Sequence, residues 1–348
     1  MLDAKNVLTI GIDYRVVRGG IAAVENVYST FYKPFNHVAT AIPGGEPQWK
    51  KGFVLFKAYV KFWGWMLFHP EIIIVHVHSG SGVSFWRKRV FIHIAKRCGR
   101  KVVLHMHGGM FDDFSKANRK AVEKTLECCD AIIALSDYWK TFFETEFCYK
   151  KAIVVKNVIA APHVSKQSHE CFTLLFLGLL GHNKGIYDLL DVIASHKDEF
   201  QGRLILRVGG NGEVEKVKAL IKAQGISDIV SYEGWVSGEK KVDLLNAADA
   251  YILPSYKEGL PISILEAMSY GLPTISTKVG GIPEIINDGV NGFLITPGDK
   301  VAIYTSIKKL LSDPQLAALM GAKSTDKVKE HLPAFVEKQL CDLYKSLL

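Results

Sequence analysis

Residues 250–268 read AYILPSYKEGLPISILEAM, and their pattern indicates the fold of the whole chain. An apolar run ends at Leu253, a loop with Gly259 follows, and apolar residues at helical spacing cover Ile262–Ser269. Pro261 suits the first turn of that helix, where its missing N–H costs nothing. We therefore expect a strand, a loop and a helix, with backbone amides at the helix start that favour an anion at the carboxyl edge of a sheet.

The same alternation of short apolar runs and amphipathic stretches extends in both directions along the chain. Most of the runs are almost continuously apolar, which is typical of parallel strands covered by helices on both faces. The predicted strands are Val7–Ile12, Ile72–His76, Lys101–His105, Ala131–Leu135, Ile153–Val155, Thr173–Leu177, Arg203–Val208, Ile229–Tyr232, Ala250–Leu253 and Thr274–Ser276. The predicted helices are Ala117–Cys128, Gly185–Ser195, Val214–Gln224, Lys240–Ala247 and Ile262–Ser269. This order predicts an α/β protein with two Rossmann-like, doubly wound parallel sheets.

A polar stretch near the middle of the chain, residues 157–171, contains Pro162 and has no clear periodicity. We place the domain boundary here, with an N-terminal domain at 1–165 and a C-terminal domain at 166–333. The last residues, 334–348, are amphipathic and are expected to form a helix that packs back on the N-terminal domain.

The composition narrows the class of protein. The 348 residues are 48% hydrophobic and 22% charged, which excludes a disordered chain, a collagen-like chain and a small disulfide scaffold. The formal net charge is +8, and residues 1–165 hold 23 Lys and Arg against 13 Asp and Glu. Such a basic half suggests a nucleic acid, an anionic membrane or a phosphorylated substrate as partner. The six cysteines form no C-x-x-C pair and we recognise no signal peptide, so we expect reduced thiols in a cytoplasmic protein.

Two carboxylates lie close to the expected anion site. Glu258 precedes the predicted helix and Glu266 lies within it, eight residues further on. A carboxylate accepts paired hydrogen bonds from vicinal hydroxyls, so carboxylates on both sides of a phosphate site would suit a nucleotide sugar. A loop glutamate and a solvated helix glutamate produce the same bare spacing, so the spacing alone does not decide between the two interpretations.

The surrounding residues supply a context for these carboxylates. The run EGLPISILEAMSYGLPTISTKVGGIPEIINDGVNGFLITPGD, residues 258–299, resembles the donor-binding signature of the retaining glycosyltransferases of family four, the glycosyl transferases group 1. The resemblance covers nearly all of residues 172–299, and it is weaker in the first half of the chain. It implies the GT-B fold, in which two Rossmann-like domains face each other across a cleft. The further segments that carry it are Phe176–Gly178, Lys184–Gly185, Gly209–Gly212, Gly234–Val236, Ala247–Asp249, Gly19–Gly20, His107–Gly109, Ser136 and Asn157.

The resemblance also implies roles for particular residues. Glu258, Lys184 and His107 would be catalytic: Glu258 would hold a hydroxyl of the transferred sugar, Lys184 the leaving diphosphate, and His107 would lie beside the donor sugar. Glu266 would hold the ribose hydroxyls of the nucleotide. The other implied donor-binding groups are the backbone amides of Gly259, Leu260 and Ile262, the base-flanking Trp235 and Val236, and the Gly19–Gly20 turn.

Simpler interpretations exist for several of these residues. Without the context, Lys184 is a surface lysine before a helix, and Gly19–Gly20 form a tight turn. Trp235 and Val236 are explained equally well by core packing at a strand end.

The chain departs from the family pattern at one position. These enzymes commonly carry an arginine just after the glycine of the first strand in the second domain, and Leu179 stands there. His182, Arg207 or a residue of the first domain would then have to supply the missing cation.

Four histidines raise the question of a metal. His76 and His78, and likewise His105 and His107, share a strand face at i,i+2 spacing. No H-E-x-x-H motif, cysteine ligand pair or D-x-D motif accompanies them, so we expect neither a metal nor another cofactor.

The predicted activity is metal-independent, retaining transfer of a sugar from a nucleotide-diphosphate sugar to a saccharide or lipid-linked saccharide, as in the synthesis of cell-surface polysaccharides or glycolipids. Two alternatives stay open. One is a nucleotide-sugar hydrolase or epimerase with the same fold. The other is a basic nucleic-acid-binding module without enzymatic activity, which the donor signature disfavours, so we expect no nucleic-acid partner.

Residues 49–68 read WKKGFVLFKAYVKFWGWMLF, with lysines interleaved among aromatic residues. Such a helix can lie in a membrane interface with its lysines near anionic headgroups. A core helix with a solvated lysine edge fits the pattern equally well. We expect a cytoplasmic protein. If the membrane interpretation of this helix holds, the protein also makes peripheral contact with the inner face of the membrane.

Overall fold

The computed structural model describes residues 4–42, 44, 47–166 and 170–348. The chain forms two compact units: unit 1 runs to Ala160 and includes Glu330–Leu348, and unit 2 is Ala161–Lys329. Residues 167–169 of the expected boundary segment lie outside the described residues.

Unit 1 contains a six-stranded parallel sheet with the strand order β2-β1-β3-β4-β5-β6. Because β1 lies inside the sheet, with β2 on one side and β3 on the other, the chain winds outward in both directions. The strands are β1 Val7–Gly11, β2 His37–Ala39, β3 Ile74–Ser79, β4 Lys101–Met106, β5 Ala131–Ala134 and β6 Ala152–Val154.

The helices of unit 1 are α1 Gly20–Phe31, α2 Gln48–Phe68, α3 Val83–Arg97, α4 Phe111–Ala117, α5 Arg119–Leu126, α6 Asp137–Phe147 and, from the end of the chain, α15 Pro333–Ser346. Two hydrogen bonds attach α15 to the rest of the unit. The Tyr344 hydroxyl lies 2.6 Å from Nδ1 of His76, and Oε1 of Gln339 accepts a bond from the backbone N–H of Lys156.

Unit 2 repeats the architecture, with the strand order β12-β11-β10-β7-β8-β9. Its strands are β7 Phe172–Leu177, β8 Leu204–Gly209, β9 Val230–Gly234, β10 Ala250–Leu253, β11 Thr274–Thr277 and β12 Gly292–Ile295. Its helices are α7 Ile186–Ser195, α8 Lys197–Phe200, α9 Val214–Ala223, α10 Gly238–Asn246, α11 Ile262–Ser269, α12 Ile282–Ile285, α13 Lys300–Ser312 and α14 Pro314–Val328. The predicted α/β class with two doubly wound parallel sheets is confirmed.

The structure corrects the strand count and one boundary. Each sheet has a sixth strand, β2 or β12, which the sequence pattern did not reveal because these are short edge strands with partly exposed residues. Strand β3 begins at Ile74 rather than Ile72 and continues to Ser79, so both His76 and His78 are strand residues.

Within the described part of the chain, no helix combines the length and the hydrophobicity that a bilayer span requires. All six cysteines are free thiols, as the sequence predicted.

Candidate functional site

The loop between β10 and α11 lies at the carboxyl edge of the second sheet. Strand β10 is fully buried, so the loop begins from a fixed point. Thr277, at the end of the neighbouring strand β11, donates a hydrogen bond of 2.6 Å from its hydroxyl to the carbonyl of Ser255. Helix α11 runs over Ile262–Ser269, as the sequence predicted, and Pro261 is its extended N-cap. The N–H groups of the first helical turn have no hydrogen-bond acceptor within the helix, so the helix start is suited to an anion.

Glu258 is buried in this loop and is held by two side chains. Its Oε1 lies 2.5 Å from Nζ of Lys184 and accepts a 2.8 Å hydrogen bond from the hydroxyl of Ser255. The side chain of Glu258 is 8% exposed and that of Lys184 is 25% exposed. The structure thus brings together two of the predicted catalytic residues from different loops, with the lysine still accessible to solvent.

Glu266 lies on α11 and has a partner that sequence reasoning missed. Nζ of Lys241, on α10, lies 2.5 Å from Oε1 of Glu266, and both side chains are about one-fifth exposed. Lysine 241 lies 25 residues before Glu266 in the chain, so only the packing of α10 beside α11 brings the two together.

Two glycines allow neighbouring loops to reach the β10–α11 loop. Gly185, the N-cap of α7, has φ of +69°, and a Cβ there would fall 2.0 Å from the carbonyl oxygen of Pro254. Gly280 has φ of +53°, and a Cβ there would fall 2.1 Å from the carbonyl oxygen of Glu258. The backbone of Tyr256 also donates to the carbonyl of Asn183 at 2.9 Å. Three loops are therefore fixed around one edge of the sheet.

Leu179 is 55% exposed and supplies no cation, as the sequence indicated. Of the proposed substitutes on unit 2, Arg207 pairs with Glu233 at 2.8 Å. The ring of His182 stacks at 4.5 Å on that of Tyr256, a residue of the β10–α11 loop.

Trp235 and Val236 follow β9 and differ in exposure. Trp235 is 38% exposed, whereas the side chain of Val236 is buried against Gly209. The core interpretation therefore fits Val236, and Trp235 keeps a surface on which a flat ring could stack. Gly259 and Leu260 are buried between Glu258 and the start of α11.

The remaining predicted residues belong to unit 1. Gly19 caps α1 with φ of +115°, and Gly20 is the first helical residue; both are exposed. His107 follows β4 at the carboxyl edge of the first sheet, and its Nε2 lies 2.9 Å from Nδ1 of His78. Burial lowers the pKa of His107 to about 3, with further contributions from His76 and Lys88, so its imidazole is neutral at pH 7.

Sequence comparison links this geometry to known proteins. Residues 161–327 match the profile of the family described as glycosyl transferases group 1. The chain is 32% identical over 164 residues to the N-acetyl-alpha-D-glucosaminyl L-malate synthase of Bacillus anthracis, a match that covers 47% of this chain and 42% of the synthase. The match thus spans less than half of the length of that relative. The chain is 29% identical over 300 residues to the 2-deoxystreptamine N-acetyl-D-glucosaminyltransferase of Niallia circulans, which covers 78% of this chain and 76% of the transferase.

Structure comparison extends the similarity to both units. The crystal structure of Anabaena HepE in complex with UDP and glucose superposes with a TM-score of 0.78 at 19% identity, covering 98% of this chain and 99% of HepE. At this identity the match establishes the fold, which is GT-B, as the sequence predicted.

Proposed function

We propose that this chain, whose residues 161–327 match the glycosyl transferases group 1 family, transfers a sugar from a nucleotide-diphosphate sugar to a hydroxyl of a saccharide or lipid-linked saccharide. The observation that carries this proposal is the arrangement at the start of α11. A buried Glu258 held by Lys184 and a largely buried Glu266 held by Lys241 lie on either side of a helix start that suits a diphosphate.

Unit 2 binds the donor in this proposal. Glu266 accepts hydrogen bonds from the ribose hydroxyls, and Glu258 accepts one from the transferred sugar. Lys184 is the cation nearest to the sugar-binding carboxylate, and it stabilises the negative charge that develops on the departing diphosphate. Unit 1 binds the acceptor.

The reaction breaks the bond between the anomeric carbon and the diphosphate oxygen and forms a bond to the acceptor oxygen on the same face of the sugar. The proton of the acceptor hydroxyl passes to the departing phosphate oxygen. This route retains anomeric configuration and requires no carboxylate nucleophile. Lysine charge and backbone amides stabilise the diphosphate here, so we propose that the transfer needs no divalent cation.

The test is a transfer assay with a panel of donors, beginning with UDP-N-acetylglucosamine. That donor comes first because two relatives are named for N-acetylglucosaminyl groups and the HepE structure contains UDP. Wild-type protein should release nucleoside diphosphate only with a matched donor and form a glycoside detectable by mass spectrometry. Added Mg²⁺ or Mn²⁺ should leave the rate unchanged.

Glu258→Gln should lower kcat by a factor on the order of 100, because the neutral amide accepts a weaker hydrogen bond and no longer pairs with Lys184. Glu215→Gln is the matched control, since Glu215 is 88% exposed and pairs with the exposed Lys218. Equal rates in both variants contradict the proposal. Release of free sugar without a glycoside favours the hydrolase alternative.

We further propose that unit 1 contacts an anionic membrane through α2. The helix has two apolar faces: Ala58, Phe62 and Met66 are buried in the core of the unit. The second face is a continuous exposed stripe of side chains three or four residues apart, formed by Trp49, Phe53, Phe56, Val60, Trp63 and Leu67. One face of the helix thus packs in the core, and another face presents apolar side chains to solvent. Both interpretations of its sequence therefore describe part of the helix.

Lysines border this exposed stripe. Nζ of Lys57 lies 4.3 Å above the ring of Phe53, and Nζ of Lys50 lies 5.7 Å above that of Trp49. An apolar stripe edged by lysines fits an interface of acyl chains and anionic headgroups, where each lysine contributes about 1 kcal/mol. This surface would place a cytoplasmic enzyme at the inner face of the membrane, next to a lipid-linked acceptor.

Vesicle flotation tests the membrane proposal. Wild-type protein should float with vesicles that contain phosphatidylglycerol, and weakly or not at all with pure phosphatidylcholine vesicles. A Phe56→Ser, Val60→Ser double variant should lose flotation, whereas Leu319→Ser, at an equally exposed position of α14, should keep it. Absence of flotation at low salt, or equal flotation of all three proteins, contradicts the proposal.

A further inference from the structure

Unit 1 contains a cluster of fully buried histidines that the proposed transfer reaction does not use. His76 and His78 lie on one face of β3, and the parallel register places His105 of β4 directly beside His78. All three residues have no exposed surface. Their ring centroids are 4.4 Å apart for His76 and His78, 4.8 Å for His78 and His105, and 5.4 Å for His76 and His105.

Hydrogen bonds orient two of these rings through the same nitrogen. Nδ1 of His76 lies 2.6 Å from the Tyr344 hydroxyl, and Nδ1 of His78 lies 2.9 Å from Nε2 of His107. A carboxylate oxygen of Glu25 is 4.0 Å from the same Nδ1 of His78. When Nδ1 of a histidine carries the proton and donates it to such a partner, Nε2 presents its lone pair. Metal-binding histidines are commonly held in this way.

The other nitrogens of the cluster are buried without protein partners. Among the described residues, Nε2 of His76, Nε2 of His78 and both nitrogens of His105 form no hydrogen bond. One nitrogen from each of the three rings lies within 4.8 Å of those of the other two. Buried polar atoms without partners are rare in folded proteins, and a bound ion is one of the established explanations for them.

The electrostatic surroundings are compatible with a cation. Burial lowers the pKa of His76 to about 3 and holds the pKa values of His78 and His105 well below their usual value, so the three rings are neutral, as metal ligation requires. Two charged side chains face the cluster from neighbouring helices, Glu25 on α1 and Lys88 on α3, and both are fully buried. The Glu25 carboxylate offsets the positive charge of Lys88, whose pKa burial lowers to about 8.

We propose that His76, His78 and His105 form a binding site for a transition-metal ion of the Zn²⁺ type within unit 1. Three imidazoles suit Zn²⁺, Cu²⁺ or Ni²⁺, with a fourth position left for water. Because the site has no exposed surface, the ion is taken up as unit 1 folds and stabilises the two central strands that carry the ligands. The site is independent of the proposed transfer reaction and of its diphosphate chemistry.

The experiment uses full-length protein without a polyhistidine tag, refolded with Zn²⁺ and then dialysed against a mild chelator. Mass spectrometry of the metal content should find about one equivalent of Zn²⁺ per chain. Refolding with Co²⁺ should give the visible absorption of a nitrogen-coordinated tetrahedral ion. The midpoint of thermal unfolding should be higher after refolding with Zn²⁺ than after refolding with chelator.

Two variants assign the ion to this cluster. His105→Leu removes one ligand and leaves an apolar side chain in a buried place, and it should hold no Zn²⁺. His69→Gln, at a partly exposed histidine of the same unit, should bind like the wild type. Should His105→Leu fail to fold, His76→Asn is measured instead. Wild-type protein without Zn²⁺ after dialysis, or ligand variants that retain the wild-type amount, overturn the proposal.

Discussion

Each carboxylate of the candidate donor site forms an ion pair with a lysine from another element. Glu258 pairs with Lys184 and Glu266 with Lys241, and all four side chains are at least three-quarters buried. Exposed ion pairs contribute little to stability, but charges that are partly removed from water interact more strongly. Each lysine offsets the negative charge of its carboxylate, so we expect the loss of either lysine to weaken the binding of an anion at this site.

Lys241→Met should weaken binding of the nucleoside diphosphate about tenfold, because Glu266 then remains as an uncompensated negative charge near the ligand. Titration calorimetry measures this effect. In a double-mutant cycle with Glu266→Gln, the coupling energy should be about 1 kcal/mol. Lys218→Met is the control, since Lys218 and Glu215 form an exposed pair. Strictly additive effects of the two substitutions would refute a functional role for the pair.

The elements that build the site are loops held together by close backbone contacts. The loops after β7, β10 and β11 meet at one edge of the second sheet, and Gly185 and Gly280 permit contacts that a Cβ would prevent. A glycine at such a position both adopts a positive φ and lets another backbone approach closely. Substitution of a second glycine, which has a positive φ but no close neighbour, separates the energetic costs of the two effects.

Gly185→Ala should lower the free energy of unfolding of unit 2 by about 3 kcal/mol, because the new Cβ meets the Pro254 carbonyl in addition to the cost of its φ. Gly202→Ala should cost about 1 kcal/mol, since Gly202 has φ of +71° but open space around it. Hydrogen exchange of unit 2 in urea measures both values. Equal losses of unfolding free energy in the two variants would show that the structure around Gly185 shifts to accommodate the new Cβ.

The molecule as a whole consists of two units, and unit 1 is built from two separate parts of the chain. Val336, Leu340 and Tyr344 of α15 are buried in it, far in sequence from the strands that they cover. The stability of unit 1 therefore depends on the last residues of the chain.

Leu340→Ala should destabilise unit 1 by about 2–5 kcal/mol through the lost apolar contacts and the cavity that remains. Leu319→Ala, at a 60% exposed position of α14, should change stability by less than about 0.5 kcal/mol. Amide hydrogen exchange should accelerate in β1, β3 and β4 of the first variant, with no change in unit 2. Faster exchange throughout both units would contradict the separation.

Acid should destabilise unit 1 in a defined window of pH. The pKa of buried His76 is lowered to about 3 from 6.5, and those of His78 and His105 are also well below 6.5. Between about pH 3 and pH 6.5 the unfolded chain binds more protons than the folded one. The contribution of these histidines to stability is therefore fully present above about pH 7 and is lost as the pH drops. Each histidine adds about 1.4 kcal/mol per pH unit to this slope. Urea unfolding of chelator-treated protein at pH 7.5, 6 and 5 measures it, and a flat profile would contradict the burial of neutral rings.

Local patterns in the sequence predicted most of the strands, because parallel strands covered on both faces are continuous apolar runs. The same reasoning missed β2 and β12, which are edge strands of only three and four residues. The motif around Glu258 and Glu266 was recognisable because its loop and helix are contiguous in the chain.

The sequence by itself determined the α/β class, the two doubly wound sheets and the pair of glutamates at the start of α11, since each depends on residues close together in the chain. Only the tertiary structure decided that Lys241 pairs with Glu266, that α2 exposes its aromatic stripe, and that His105 lies beside His78. These features depend on which elements pack together and in which register. The packing partners and the register are determined by the burial of many side chains at once rather than by any local pattern.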